Sequence, residues 1–326
     1  MSHCCLGFLS LTIQCSHQSS PFSPENMSGI FIFLFSKIPA AAALLKKAIF
    51  GYGYNGSYLS MTNLVSNTGV VSTDVNGVGT GRYGLAAAGS GSDKASFGYG
   101  YTVNAMSMTN LVSNTGVVSG DVTGVGTARY GPAAAGYGSD KAIFGYGYTT
   151  ASVGMTNLVS NTGVVSNNVT GVGTARYYPA AAGYGSDKAI FGYGSNGSNL
   201  AITNLVSNTG VVSGDVAGVG TARVYISAAG YGSDKAIFGY GLTSVSVSIT
   251  NLVSNTGVVS TDVAGVGTAR NLLAAAGYGA DKAIFGYGYN GSYLSMTNLV
   301  SNTGVVSSDV AGVGTTRYIL AAASYG

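Results

Sequence analysis

The eleven residues Thr-Asn-Leu-Val-Ser-Asn-Thr-Gly-Val-Val-Ser begin at Thr62 and return unchanged at Thr109, Thr156, Thr203, Thr250 and Thr297, always 47 residues on. An arginine keeps the same interval at Arg82, Arg129, Arg176, Arg223, Arg270 and Arg317. So does a Lys-Ala-(Ile/Ser)-Phe-Gly-Tyr-Gly run, from Lys47 to Lys282. Six periods fill residues 45–326 without insertion or deletion. A fixed period of this length confines the chain to architectures in which each unit buries its apolar surface against its neighbours.

Residues 94–140 show what one unit holds. Lys94-Ala95-Ser96-Phe97-Gly98-Tyr99 is a short apolar and aromatic run before glycine, a strand by composition. Residues 101–107 are polar and differ between copies, as a loop does. Met108 to Ser113 reads as a second strand, and Asn114-Thr115-Gly116 as a tight turn, because Asn and Gly accept positive φ cheaply. Val117-Val118-Ser119 is a third strand. A glycine-rich crossing then leads to Pro132-Ala133-Ala134-Ala135-Gly136-Tyr137, a fourth, with Pro at its permissible first position.

Four short strands per 47 residues predict an all-β fold, a six-bladed β-propeller with four antiparallel strands per blade. Six blades crowd their innermost strands together, which suits alanine. The alanine strand is therefore placed innermost (A), followed by Phe-Gly-Tyr (B), Leu-Val (C) and Val-Val (D). The chain ends on an A strand, Ala321-Ala322-Ala323-Ser324-Tyr325-Gly326, and the repeats open at Lys47 on a B strand. Pairing the two would close the ring and protect edges that otherwise template aggregation. The segment Pro39-Ala40-Ala41-Ala42-Ala43 competes for that place, without the preceding Arg or the following Tyr-Gly.

Taken in order, Arg129, Ala133 to Ala135, Gly138, Asp140, Lys141, Phe144, Gly145, Gly147, Asn161, Thr162 and Arg176 resemble a kelch repeat. That family sets an Arg before an apolar strand, then a Gly-Asp-Lys type of turn and an aromatic strand ending in glycines. An Asn-Thr turn then leads to the next Arg. The resemblance covers residues 47–326, with two departures: Gly-Tyr-Gly replaces a glycine doublet, and valine stands where tryptophan is expected early in strand D. It implies a propeller that binds other molecules, most often proteins.

The copies differ mainly in two places. One is the B–C loop, at 54–61, 101–108, 148–155, 195–202, 242–249 and 289–296. The other is the D–A connection, including the residues just after each Arg. In a four-stranded meander both emerge at the same end, so the variation maps to one face, and loops on a rigid scaffold are where binding sits. Candidate contact residues from the B–C loops are Tyr54, Asn55, Tyr58, Tyr101, Asn104, Tyr148, Asn196, Asn199, Tyr289, Asn290 and Tyr293. Those from the D–A connections are Tyr83, Tyr130, Tyr177, Tyr225 and Tyr318. Such a surface suits a protein or a glycan ligand. Unconstrained drift of the loops is the competing explanation.

Catalysis finds little support. The repeats contain no His, Glu or Cys, so acid-base work would fall to Asp, Lys or Tyr. We assign no catalytic residue, no cofactor and no metal. A sialidase-like glycosidase is the enzymatic alternative, because six Arg and many Tyr are present, but arginines spaced once per repeat read as structural. Asp74, Asp121, Asp215, Asp262 and Asp309 offer only one carboxylate per loop to a calcium ion, and Asn168 interrupts the series. With Lys and Arg spread along the chain and a net charge of +3, no basic stripe invites nucleic acid.

Residues 1–44 share nothing clear with the repeats and are expected to be a poorly ordered tail, or a signal or anchor. They hold all three cysteines and both histidines, but His3, Cys4, Cys5, Cys15 and His17 match no zinc spacing. Neither of the two apolar stretches, Cys4 to Ile13 and Gly29 to Leu45, reaches the roughly 20 residues of a membrane helix, so any membrane contact is expected through this tail alone. In a secreted chain Asn26, Asn55, Asn168, Asn196 and Asn290 would be glycan acceptors. A closed ring should be monomeric. An open head-to-tail array of repeats, a structural or assembly protein, is the alternative.

Overall fold

A computed structural model describes residues 46–91 and 93–326. The tail residues weighed for metal binding, Asn26 and the competing alanine segment 39–43 lie outside the described residues. Those described are all-β, with no helix among them. They form six separate three-stranded antiparallel sheets. The first joins β1 (Lys47–Tyr54) and β2 (Tyr58–Val65) to β18 (Ala321–Tyr325). The second holds β3 (Ala86–Ser90), β4 (Lys94–Tyr101) and β5 (Ala105–Val112). The third holds β6 (Ala133–Tyr137), β7 (Lys141–Gly145) and β8 (Thr156–Val159). The fourth holds β9 (Ala180–Tyr184), β10 (Lys188–Gly192) and β11 (Thr203–Val206). The fifth holds β12 (Ser227–Tyr231), β13 (Lys235–Gly239) and β14 (Thr250–Val253). The sixth holds β15 (Ala274–Tyr278), β16 (Lys282–Tyr289) and β17 (Tyr293–Val300).

The C-terminal strand occupies the place that its phase predicts. β18 pairs with β1 in the register Lys47↔Tyr325 to Gly51↔Ala321, the same register that β3 makes with β4. Each alanine strand also contacts the alanine strands of both neighbouring sheets, and β18 touches β15 and β3, so the succession returns to its start. Backbone hydrogen bonds follow the same circuit. Gly91, Gly138, Gly185 and Gly232 each donate to the Asp carbonyl of the next A–B turn, Gly279 donates to Lys46 and Gly326 to Asp93. A cavity of about 260 Å³ at this end is lined by residues of all six sheets.

The core lies between sheets. Every apolar cluster joins two consecutive sheets, and one joins the sixth to the first through Ile284, Tyr287, Ala48 and Phe50. Close approach demands glycine at one point in each interface. A Cβ on Gly51 would lie 2.7 Å from the Phe97 ring, and one on Gly286 equally near Phe50. The Gly-Tyr-Gly segment that departs from the kelch pattern has a structural purpose. Tyr52 and its five equivalents adopt positive φ (62–66°) and are fully buried. This backbone state costs a non-glycine residue of the order of 1 kcal/mol. In return it turns the Tyr52 ring onto Phe97 of the next sheet, with centroids 5.1 Å apart, and lets its hydroxyl donate to the Val78 carbonyl.

One expectation needs correction. The Val-Val segment does not form a fourth continuous strand. It touches strand C only at isolated bridges such as Val65↔Val71 and Thr62↔Val75. The reason is a bulge: the three steps from Ser72 to Val75 oppose the two steps from Leu64 to Thr62. Side chains fill the interrupted ladder. Leu64 N donates to Ser72 Oγ, and Asn63 Nδ2 donates to the Ser72 carbonyl.

Two outcomes follow from this packing. Ser96 is 1% exposed and its hydroxyl has no partner among the described residues, where the other five copies bury an isoleucine. Ser96→Ile should stabilise the protein by about 2 kcal/mol, read as a higher midpoint in thermal or urea unfolding. Deleting residues 321–326 strips β1 of its inner partner and removes the alanine strand that contacts β15 and β3, so circular dichroism of the truncated chain should show no cooperative melting transition.

Candidate ligand-binding face

The two variable segments of each repeat meet. Six isolated bridges join them: Tyr54↔Tyr318, Tyr83↔Tyr101, Tyr130↔Tyr148, Tyr177↔Ser195, Val224↔Leu242 and Asn271↔Tyr289. Beneath each bridge lies an arginine with no exposed surface. Arg82 donates from Nε to the Tyr99 carbonyl (2.8 Å), from Nη1 to the Thr80 carbonyl (3.0 Å) and from Nη2 to Asn110 Oδ1 (2.7 Å). Its guanidinium also lies 4.5 Å from the centre of the Tyr52 ring in the preceding sheet. Arg317 repeats this with Tyr52, Thr315, Asn63 and the Tyr287 ring, linking the end of the chain to its beginning.

The aspartates weighed as calcium ligands belong to the same junctions. Asp121 accepts from Thr80 N and Oγ1 and from Asn110 Nδ2. In the third repeat Asn168 takes that place: its Oδ1 accepts from Thr127 N and Asn157, and its Nδ2 donates to Thr127 Oγ1. An amide can thus do the same bridging as a carboxylate.

Above this layer ten tyrosine rings touch in unbroken succession. They run Tyr289, Tyr318, Tyr54, Tyr83, Tyr101, Tyr130, Tyr148, Tyr177, Tyr178 and Tyr225, with centroids 4.9–6.1 Å apart. Tyr58 stacks on Tyr83 and Tyr293 on Tyr318, and these two are the most exposed of the set, at 41% and 36%. The structure therefore gathers every sequence-selected tyrosine into one surface. The asparagines divide. Asn55, Asn196 and Asn290 accept from the backbone of Ser57, Ser198 and Ser292, which makes them turn formers. Asn199 reaches the Leu242 carbonyl of the next sheet, and Asn104 is exposed.

Of the residues two places after each Arg, sequence reasoning selected only Tyr225 and missed the others. Gly84, Gly131, Tyr178, Tyr225, Leu272 and Ile319 all have positive φ. Hydrogen bonds pass between them: Gly84 to Ile319, Gly131 to Gly84, Tyr178 to Gly131, Leu272 to Tyr225 and Ile319 to Leu272. Tyr178 lays its ring over Gly131 and its hydroxyl beside Gly84, in space that side chains there would fill. Positive φ at four residues other than glycine leaves no mark in composition, so nothing in the sequence marked this inner ring.

Charge on this face is confined to the D–A connections, where the junction Asp and Arg residues lie. None of the six B–C loops contains a charged residue. Burial, with the neighbouring phenols Tyr58, Tyr101, Tyr130 and Tyr318, pushes Tyr83 up to about 12. The A–B turns at the opposite end carry Lys-Asp pairs such as Lys141–Asp140 (3.1 Å). No protein-family model matches the chain, and a search of curated proteins finds no match either.

The junction aspartates make a pH dependence. Burial pushes each carboxyl up, but hydrogen bonds from Thr and Asn and the nearby Arg outweigh it. Asp74, Asp121, Asp215, Asp262 and Asp309 all stay below their ordinary value of 3.8. Groups depressed in the folded state stabilise it above the unfolded value and lose that contribution as pH falls through the folded one. Replacing all five with Asn should lower stability at pH 7. The gap to the parent should then narrow steadily below about pH 4 in urea titrations.

Proposed function

We propose that residues 46–326 form a closed six-bladed β-propeller of kelch-like type, with the bulged Val-Val segment as the outer strand of each blade. We propose further that it is a non-enzymatic binding scaffold, recognising a protein or a glycan through the tyrosine face. The observation that carries this reading is the unbroken succession of ten rings, beside B–C loops that hold no charged residue, built from the segments in which the copies differ. Rigid amphipathic rings held by one another lose little entropy on contact with a ligand, and their hydroxyls remain as hydrogen-bonding groups. The sialidase-like alternative requires accessible arginines, whereas all six are buried and engaged with Asn and backbone carbonyls.

A second reading draws on a different surface. Val70, Val117, Val164, Val211, Val258 and Val305 stand 65–66% exposed on the Val-Val segments, one per repeat, and would suit assembly of copies edge to edge. Scattering separates the two, since a scaffold should give a compact particle of 32.6 kDa at all concentrations.

The binding test uses Tyr58→Ala and Tyr293→Ala together in the full chain. Both side chains are exposed, so the thermal midpoint should stay within about 2 °C. Retention on a protein or glycan partner, found by glycan array and affinity capture, should fall at least about tenfold. Unchanged retention would end the reading.

A further inference from the structure

The tyrosine succession runs from Tyr289 to Tyr225 without closing on itself, and the gap between its two ends has a shape. The residue after each Arg fills the slot between two sheets with a ring at Tyr83, Tyr130, Tyr177 and Tyr318. Between the fourth and fifth sheets that residue is Val224, and between the fifth and sixth it is Asn271. The partner that stacks on the slot in the first and sixth repeats, Tyr58 or Tyr293, is here Ser246. Two phenol rings are therefore missing together. An open cleft lies there, lined among others by Tyr225, Asn271, Leu272, Tyr289, Tyr293 and Val245, the last 64% exposed.

We propose that this cleft holds a neutral hexopyranose unit of a glycan, an assignment that rests on the tyrosine face being the binding surface. A pyranose has about the breadth of the absent phenol. Its apolar ring face can lie against Tyr289 or Tyr225, as aromatic rings do elsewhere on this surface. Its hydroxyls find partners in the Asn271 amide, which is 94% buried and donates to Ser246 Oγ at 2.8 Å. Among the described residues no donor is bonded to Asn271 Oδ1, which leaves it as an acceptor for the ligand. No lysine, arginine, aspartate or glutamate lines the cleft, so an anionic sugar or a phosphate would meet no counter-charge. A proline ring would fit the breadth, but it carries no ring hydroxyl to satisfy the amide and the serine.

The test restores the missing rings. Full-length wild type, Asn271→Tyr and Ser246→Tyr are passed over immobilised neutral hexose oligosaccharides, a sialylated oligosaccharide and a dodecaproline peptide. Circular dichroism serves as the folding control. Retention of a neutral oligosaccharide by the wild type, lost at least tenfold in both folded variants, is the expected result. Should Asn271→Tyr fail to fold, Ser246→Tyr decides. Three results would overturn the assignment: no neutral oligosaccharide retained, equal retention by the variants, or retention of the peptide or the sialylated sugar in its place. A partner lost by Tyr58→Ala with Tyr293→Ala but kept by Asn271→Tyr would preserve the face as a binding surface while removing the cleft from it.

Discussion

Each sheet is held to the next by a buried guanidinium. Arg82 and its five equivalents are wholly removed from water, a state tolerable only when the charge and nearly all its donors are matched. The matching groups come from both sides of an interface. The ring below belongs to the preceding sheet, while the Asn oxygen and the Tyr carbonyl belong to the next. Removing a partner from such a set generally costs about 3–5 kcal/mol. The junction therefore fixes orientation between sheets in a way that apolar packing alone, being non-directional, does not. One junction is imperfect, since Arg176 Nε has no partner among the described residues. Its ring contact, at 4.0 Å, is among the shortest.

The same junction explains why the outer segment is not a regular strand. An unbroken ladder would leave no extra residue between Ser72 and Val75. The bulge supplies one and carries Asp74 to Thr315 of the connection entering the sheet, while Asn63 joins the aspartate to Arg317. Backbone pairing is exchanged for a side-chain relay reaching into the neighbouring repeat. The exchange is favourable because the relay also satisfies the arginine.

Charge and aromaticity are segregated by strand direction. Antiparallel pairing sends all B–C loops to one end and all A–B turns to the other, so that the loop tyrosines collect at one, while the Lys-Asp pairs lie at the other with Tyr137 and its equivalents. Neighbouring rings then pack on each other, and most lose the freedom they would have on isolated loops. Asn55 and Asn290 look like contact residues in the sequence but serve their own turns, because an Asn side chain reaches the amide two residues on before it reaches anything else.

Period, strand composition and the alanine ending were enough to set the number of sheets, the A, B and C strands of each and the pairing of β18 with β1, because each is a local or phase property of a repeated string; the same reading also expected a continuous fourth strand, which the Val-Val segment does not form. The arginine at fixed spacing likewise announced a structural charge. Three features were decided only by tertiary structure. The Tyr52 backbone state pays off only across an interface, the bulge serves a residue in another repeat, and the inner ring at Tyr178 and Ile319 is formed by chain segments that no sequence neighbourhood brings together. In each case the compensating contact is made between repeats, so a single 47-residue unit read alone cannot reveal it.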